Sequence, residues 1–412
     1  MGAGETRNNV DVLVIGAGPA GTVAGAILQK EGFHPLLVEK QVFPRFVIGE
    51  SLLPRVMNIL KETDLLRPVE EKGFIKKTGA VFFRGDQKCD FDFSSQSGDG
   101  WEYTYQVPRA DFDQTLADAL RARGIEILFG HDVKSVEFAD GQVRVGIETP
   151  DRKDRRVTAR FVLDCSGYGR VLPRLLDLEK PSTQMFRESL FAHIIGDRRP
   201  GGSEEGKIWV CIHPQGGWIW IIPFSNGKTS VGVVATPEFF AKFPGSDQEQ
   251  LRAILMSDPN AGRRLAEMQY VFPPRRIGGY SCSVTKLYGD RFALAGNATE
   301  FLDPVFSSGV TLAMESGMRA ARVIARELRG ERCDWEKEYA AHLRQGVDTF
   351  RVYVNAWYDG TLGDIFFAPD RDVEVMKKIC SVLAGYVWDQ SNPYVLHAQR
   401  ALQVISKFVR EK

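Results

Sequence analysis

The chain has 412 residues, 43% of them hydrophobic, enough to bury a sizeable core divided between two or three lobes. Lysine plus arginine and aspartate plus glutamate both total 53, so a formal net charge of zero offers no basic field for nucleic acid or an anionic membrane. The opening MGAGETRNNV lacks the apolar run of a secretory signal, and no unbroken apolar stretch of about 18 residues is available to span a bilayer.

These features predict a cytoplasmic protein. Cys89, Cys165, Cys211, Cys282, Cys333 and Cys380 lie far apart, without a CxxC pair or a histidine at ligand spacing. They are expected to be reduced structural thiols, with no metal bound.

In chain order, VDVLVIG (10–16) is a continuous apolar run ending in glycine, the pattern of a buried parallel strand. Residues 19–31 carry small and apolar residues at helical spacing, and HPLLVEK (34–40) predicts a second strand, completing a βαβ unit. ADFDQTLADALRARG (110–124) predicts an amphipathic helix stopped by Gly124, after which IEILFG, KSVEFAD and RVGIE alternate like antiparallel strands. From about 185 to 275 strands dominate, among them KIWVCIHP, GWIWIIPF and TSVGVVA. RFALAGN (291–297) predicts another buried strand, 309–329 a long helix closed by Gly330, and 335–412 a mostly helical ending.

Gly16-Ala17-Gly18-Pro19-Ala20-Gly21 is a GxGxxG placed between a strand and a helix. Its glycines suit the tight turn, the close approach of backbone to a pyrophosphate, and close helix-to-strand packing, while the helix N-terminus offers free N–H groups. Glu39, 18 residues after Gly21, ends the second strand, where a carboxylate accepts from ribose hydroxyls and would repel a 2′-phosphate. The cradle is therefore read as binding FAD or NAD rather than NADP.

Resemblance separates these two. FVLDCSGYGR (161–170) resembles the mid-chain motif of para-hydroxybenzoate-hydroxylase-like flavoproteins, and YGDRFALAGNATEFLDP (288–304) resembles their third motif. That motif usually reads Gly-Asp-Ala where this chain has Gly296-Asn297-Ala298; asparagine still accepts from a ribityl hydroxyl but adds no charge. Arg109, in QVPRADFD, matches the position from which these proteins reach the cofactor, with an Arg–Asp surface pair as the alternative.

Trp218-Ile219-Trp220-Ile221-Ile222-Pro223 fits the WxWxIP pattern of the flavin-dependent halogenases. Two indoles two residues apart share one strand face, where they can wall a substrate off from the flavin; an ordinary aromatic sheet core is the alternative. FLDPVFSSGVTLAM (301–314) resembles the halogenase halide loop and helix, and GESLLP (49–54) with GFIKKTGAVFF (73–83) resemble the segments lining the cofactor and carrying the catalytic lysine. The pattern points to Lys77, then to Lys76, against a solvated lysine in a Lys-rich turn. The resemblance covers about residues 8–330.

It implies an α/β fold: a Rossmann-type FAD-binding domain (8–60, 100–180 and 276–330) interleaved with a sheet-rich substrate domain (61–99 and 181–275), plus a C-terminal helical region (331–412). It also implies a cofactor shell of Gly16, Gly18, Pro19, Ala20, Gly21, Glu39, Lys40, Arg45, Glu50, Ser51, Arg109, Asp164, Gly167, Gly296, Asn297, Asp303, Pro304, Gly309 and Val310. Chloride or bromide would sit at Ser308 and Gly309, at a helix N-terminus, with Ser307 beside them, and Trp218, Trp220, Pro223 and Phe306 would wall the substrate chamber.

In such enzymes reduced FAD and oxygen convert halide to hypohalous acid, which the lysine, a desolvated amine, holds beside an aromatic ring. The tryptophan-halogenase branch carries a glutamate where this chain has Phe306, so a more activated ring is expected: a phenol, resorcinol or pyrrole, free or carrier-bound. There is no second GxGxxG after residue 40, which predicts a separate flavin reductase supplying reduced FAD. The rival readings are a flavin monooxygenase or reductase acting directly on an aromatic or polyene, and a non-catalytic FAD-binding protein. Trp357, Tyr358, Phe366 and Phe367 are read as aromatic packing between helices, or as a chamber cap or carrier grip.

Overall fold

The computed structural model describes residues 8–182, 184–279 and 282–411. The apolar strand Asn9–Ile15 lies inside a sheet whose parallel order is 292–294, 154–164, 9–15, 35–39, 126–129. Val12, Leu13, Val14 and Ile15 are covered on both faces, which is why they read as an unbroken apolar run rather than an alternating one. The helix Pro19–Lys30 crosses back over this sheet, and its first turn follows a glycine turn that no larger residue fits. Gly16 has φ +100°, and a Cβ there would lie 2.5 Å from the Cys165 carbonyl oxygen; one at Gly21 would lie 1.9 Å from the Gly16 oxygen.

The helix expected over 110–124 is Arg109–Ala122, closed by Gly124 at φ +82°. One expectation is corrected: IEILFG is not an antiparallel partner of its successors. Glu126–Phe129 joins Pro35–Glu39 in parallel at the edge of the first sheet, because the preceding helix is a crossover that returns the chain in the same direction. The antiparallel extension consists of 132–139, 142–148 and the first half of 154–164.

The second sheet runs 269–270, 188–195, 229–235, 218–223, 208–212, 79–84, 87–92, antiparallel except where 208–212 meets 79–84. Two distant stretches of chain thus share one sheet. Its central strand, Trp218–Pro223, faces two cores: Trp218, Trp220 and Ile222 pack toward the first sheet and the C-terminal helices, Ile219 and Ile221 toward the helices of 239–265.

The C-terminal region is helical, as its pattern predicts, with Ala341–Tyr358 and Val373–Leu383 as its longer inner helices. Trp357 and Phe366 put their rings 5.6 and 5.0 Å from Phe82 of the second sheet. A buried cluster fastens the region to the first sheet's layer: the Glu315 carboxylate accepts from Arg55, Arg319 and His342, and His342 stacks 4.9 Å from Trp388. These partners hold Glu315 down to about 2 although its burial acts in the opposite direction.

Candidate functional site

A concavity of about 440 Å³ runs from the Gly16–Ala20 turn across both sheets. At one end stand Glu39, Lys40, Gln41, His131 and Asp132; at the other, Glu50, Ser51, Trp218, Trp220, Ile222, Pro304, Gly309 and Val310. The parallel strands end here, so the mouth lies where doubly wound sheets bind dinucleotides.

The walls fit a dinucleotide. Gly18 leaves the start of helix Pro19–Lys30 without a side-chain cap, and a Cβ at Gly18 would project toward Arg45 Nη2 at 3.4 Å, into the space between turn and guanidinium. Glu39 is buried; it accepts from the Ala17 and Gln41 backbone N–H groups at 3.0 and 2.9 Å, which aims its carboxylate at the cavity. Two buried polar atoms at the far end, Glu50 Oε2 and Ser51 Oγ, have no hydrogen-bond partner among the described residues. Buried groups of that kind are costly unless a ligand satisfies them.

Of the residues expected at the site, Gly16, Gly18, Pro19, Ala20, Glu39, Lys40, Arg45, Glu50, Ser51, Arg109, Gly167, Trp218, Trp220, Gly296, Asn297, Pro304, Gly309 and Val310 all line this cavity. Arg109 lines the cavity and pairs with an aspartate, but the pair is buried rather than at the surface. It is buried, forks onto Asp113 at 2.8 and 2.9 Å, and turns its third nitrogen to the Ile48 and Gly49 carbonyls, which holds the 48–51 segment against the cavity.

Others stand behind the wall. Gly21 packs on the turn itself. Asp164 accepts from the Ser166 and Leu172 N–H groups at 2.8 and 2.6 Å, which shapes the turn that brings Gly167 to the cavity. Ser308 is buried in the first turn of helix Ser308–Leu328, whose preceding residue, Ser307, has φ +56° and supplies no side-chain cap. Phe306 packs 6.0 Å from Trp357 and 6.2 Å from Tyr353, and Pro223 ends the wall strand. Asp303 turns to the C-terminal region, accepting from the Tyr358 hydroxyl at 2.8 Å. Burial pushes its pKa up to about 6, against the opposing pull of Tyr358 and Arg187.

Lys77 is 1% exposed, whereas Lys76 lies over the Tyr103 ring at the surface of the same strand. The Lys77 ammonium donates to the Leu52 carbonyl at 2.8 Å, 5.6 Å from the Phe93 ring centroid, and has no carboxylate partner among the described residues; burial brings its pKa down to about 7. Leu52 directly follows Glu50 and Ser51, so the lysine stands one backbone thickness behind the cavity wall.

Sequence reading missed His193. Its Nε2 lies 2.7 Å from Glu50 Oε1, inside a cage of Phe46, Phe224 and Phe272 at 5.4, 5.2 and 5.1 Å. The available signal was a histidine inside the apolar strand ESLFAHII.

Residues 9–347 match a family described as FAD binding domain. The 1H-pyrrole-2-carbonyl-(peptidyl-carrier protein) chlorinase of Pseudomonas fluorescens is 28% identical, over 96% of this chain and 93% of its own. The corresponding brominase of Pseudoalteromonas luteoviolacea is 30% identical, over 81% of this chain and 80% of its own. Among solved structures, a flavoprotein/dehydrogenase from Cytophaga hutchinsonii superposes with a TM-score of 0.96 at 48% identity, covering 98% of this chain and 99% of that one.

With its Rossmann-type cradle, the chain is an FAD-dependent oxidoreductase. It belongs to the flavin-dependent halogenase family. Among the described residues no helix is long and apolar enough to cross a membrane.

Proposed function

We propose that this protein halogenates an electron-rich ring of phenol or pyrrole type, free or carrier-bound, and receives reduced FAD from a separate flavin reductase. The observation that carries the reading is Lys77: a buried amine with no counter-ion among the described residues, brought down to about 7 by burial and bonded to Leu52, next to the cavity residues 49–51. Such a lysine is unprotonated often enough to act as a nucleophile at neutral pH and returns a proton readily.

Bound FAD supplies reducing equivalents to oxygen and so the oxidant that halide consumes. The chain does the rest. Gly18 and the following helix hold the pyrophosphate, and Glu39 takes the ribose. The N-terminus of Ser308–Leu328 receives the halide with its first N–H groups, at Ser308 and Gly309. Trp218 and Trp220, 5.9 Å apart on one strand face, keep the ring from the flavin. Phe306 leaves no carboxylate to take a proton from a poorly activated ring, which favours a phenol or pyrrole; the pyrrolyl-carrier substrates named for two relatives are of that class. The division into FAD lobe (8–60, 100–180 and 276–330), substrate lobe (61–99 and 181–275) and C-terminal region (331–412) belongs to this reading, supported by the two sheets.

The test is product analysis with reduced FAD, oxygen and bromide or chloride over a panel of phenols and a pyrrolyl thioester. Halide-dependent ring halogenation is expected. A second reading, direct oxidation of a substrate beside the flavin, is favoured by the 48% identical dehydrogenase and by Lys77 standing behind the wall rather than on it. An oxidised product formed equally without halide would establish it instead.

A further inference from the structure

The C-terminal helix Ala341–Tyr358 reaches the loop ahead of the halide helix with three aromatic residues of its last two turns, Tyr353, Trp357 and Tyr358. Tyr353 and Trp357 flank the Phe306 ring. Tyr358 goes further: its hydroxyl donates to Asp303 Oδ2 at 2.8 Å and accepts from the Trp218 indole N–H at 3.0 Å, while the Arg187 guanidinium lies 3.4 Å above its ring. One phenol thus ties together the wall strand, the 303–307 loop and the segment carrying Arg187. Tyr358 also lies beyond residue 347, where the family match ends.

The loop is packed through the buried Val305 and Phe306, and its turn geometry depends on Asp303. Asp303 is buried, and its other oxygen accepts from the Val305 N–H at 3.2 Å, closing the short turn Pro304–Phe306. That turn feeds Ser307, held at φ +56°, which sets the direction in which the backbone of Ser308 and Gly309 starts its helix. A left-handed serine persists only where its surroundings dictate it. Through Asp303, the phenol of Tyr358 is such a surrounding, and on its other edge it orients the indole of Trp218 at the cavity.

We propose that Tyr358 is a positioning residue that sets the anion-binding N-terminus of Ser308–Leu328 and the Trp218 wall together, so that the C-terminal region determines halide affinity. This rests on the halogenase reading. It touches neither halide nor cofactor, and so acts on the halide site while leaving the cradle alone.

The experiment uses the full FAD-loaded chain and the Tyr358→Phe variant. Bromide affinity is measured from the perturbation of the flavin spectrum, and KM for bromide and kcat are measured in the halogenation assay. Losing the phenol strands two buried polar groups, Asp303 Oδ2 and Trp218 Nε1. The halide dissociation constant and KM are expected to rise about tenfold, with kcat within about threefold and FAD affinity unchanged. Arg187→Gln, which keeps the phenol but removes the cation above it, is expected to shift halide affinity the same way by about threefold, and stands in should Tyr358→Phe fail to fold. Unchanged bromide affinity in a folded Tyr358→Phe protein overturns the proposal, as does an equal loss of FAD and bromide affinity, which marks a merely structural contact. A parent protein that shows no halide dependence at all removes the halogenase reading itself, a different and separately visible failure.

Discussion

Replacing Lys77 with methionine separates chemistry from stability in a single variant. The amine is 1% exposed with the Leu52 carbonyl as its acceptor, and burial brings its pKa from 10.5 to about 7. The difference, 10.5 − 7 = 3.5 pH units, corresponds to about 5 kcal/mol at about 1.4 kcal/mol per unit. Between those two values the unfolded lysine holds a proton that the folded one has released. Stability therefore rises with pH across that window, and the full cost applies below pH 7. Methionine fills a similar volume without a charge, so Lys77→Met is expected to exceed the parent by about 2–5 kcal/mol near pH 6.5. The gap should shrink by about 1.4 kcal/mol per unit as pH rises above 7. Product formation should fall by a factor of about 10² or more, with flavin reduction and reoxidation near normal. Urea unfolding of the FAD-loaded proteins at two pH values, beside product analysis, gives both readouts. A variant less stable than the parent near pH 6.5, or one with the parent's pH slope, refutes the buried neutral amine. Wild-type product yield refutes the delivery role, and loss of product in Lys76→Ala instead transfers it to the neighbour.

Gly18→Val is expected to abolish FAD binding, because its branched side chain would enter the space between the turn and Arg45; equilibrium dialysis that finds full-strength binding would show the cradle to be misassigned. The pure protein should show no steady NADH or NADPH consumption and should turn over only when reduced FAD is supplied, so sustained nicotinamide oxidation by the chain alone contradicts the reductase requirement. Glu315→Ala strands Arg55, Arg319 and His342 and should cost about 3–5 kcal/mol in denaturant unfolding. Because Glu315 is held down to about 2, its contribution is fully present above 4.5 and fades as pH falls toward 2, and a stability difference independent of pH over that range would count against the cluster.

Several features of the chain are local enough to be read from its sequence. The apolar run of Asn9–Ile15, the glycines at 16, 18 and 21, the carboxylate at 39 and the indoles at 218 and 220 each depend on one strand, one turn or one strand face. There the backbone period alone decides which side a residue presents. The Rossmann-type unit and the shared strand face of Trp218 and Trp220 were legible for that reason, whereas the choice of FAD over NAD came from resemblance. What tertiary structure alone decided are the pairings between segments far apart in the chain: Glu50 with His193, Asp303 with Tyr358, and the parallel edge position of Glu126–Phe129. No periodicity encodes them, because each depends on sheet register and on how the C-terminal helices close over the second sheet. The same holds for Lys77. Its pattern marked it as a candidate, but only the burial produced by strand 75–77 pairing with 104–106 behind the cavity wall takes away the solvent that would otherwise keep it charged.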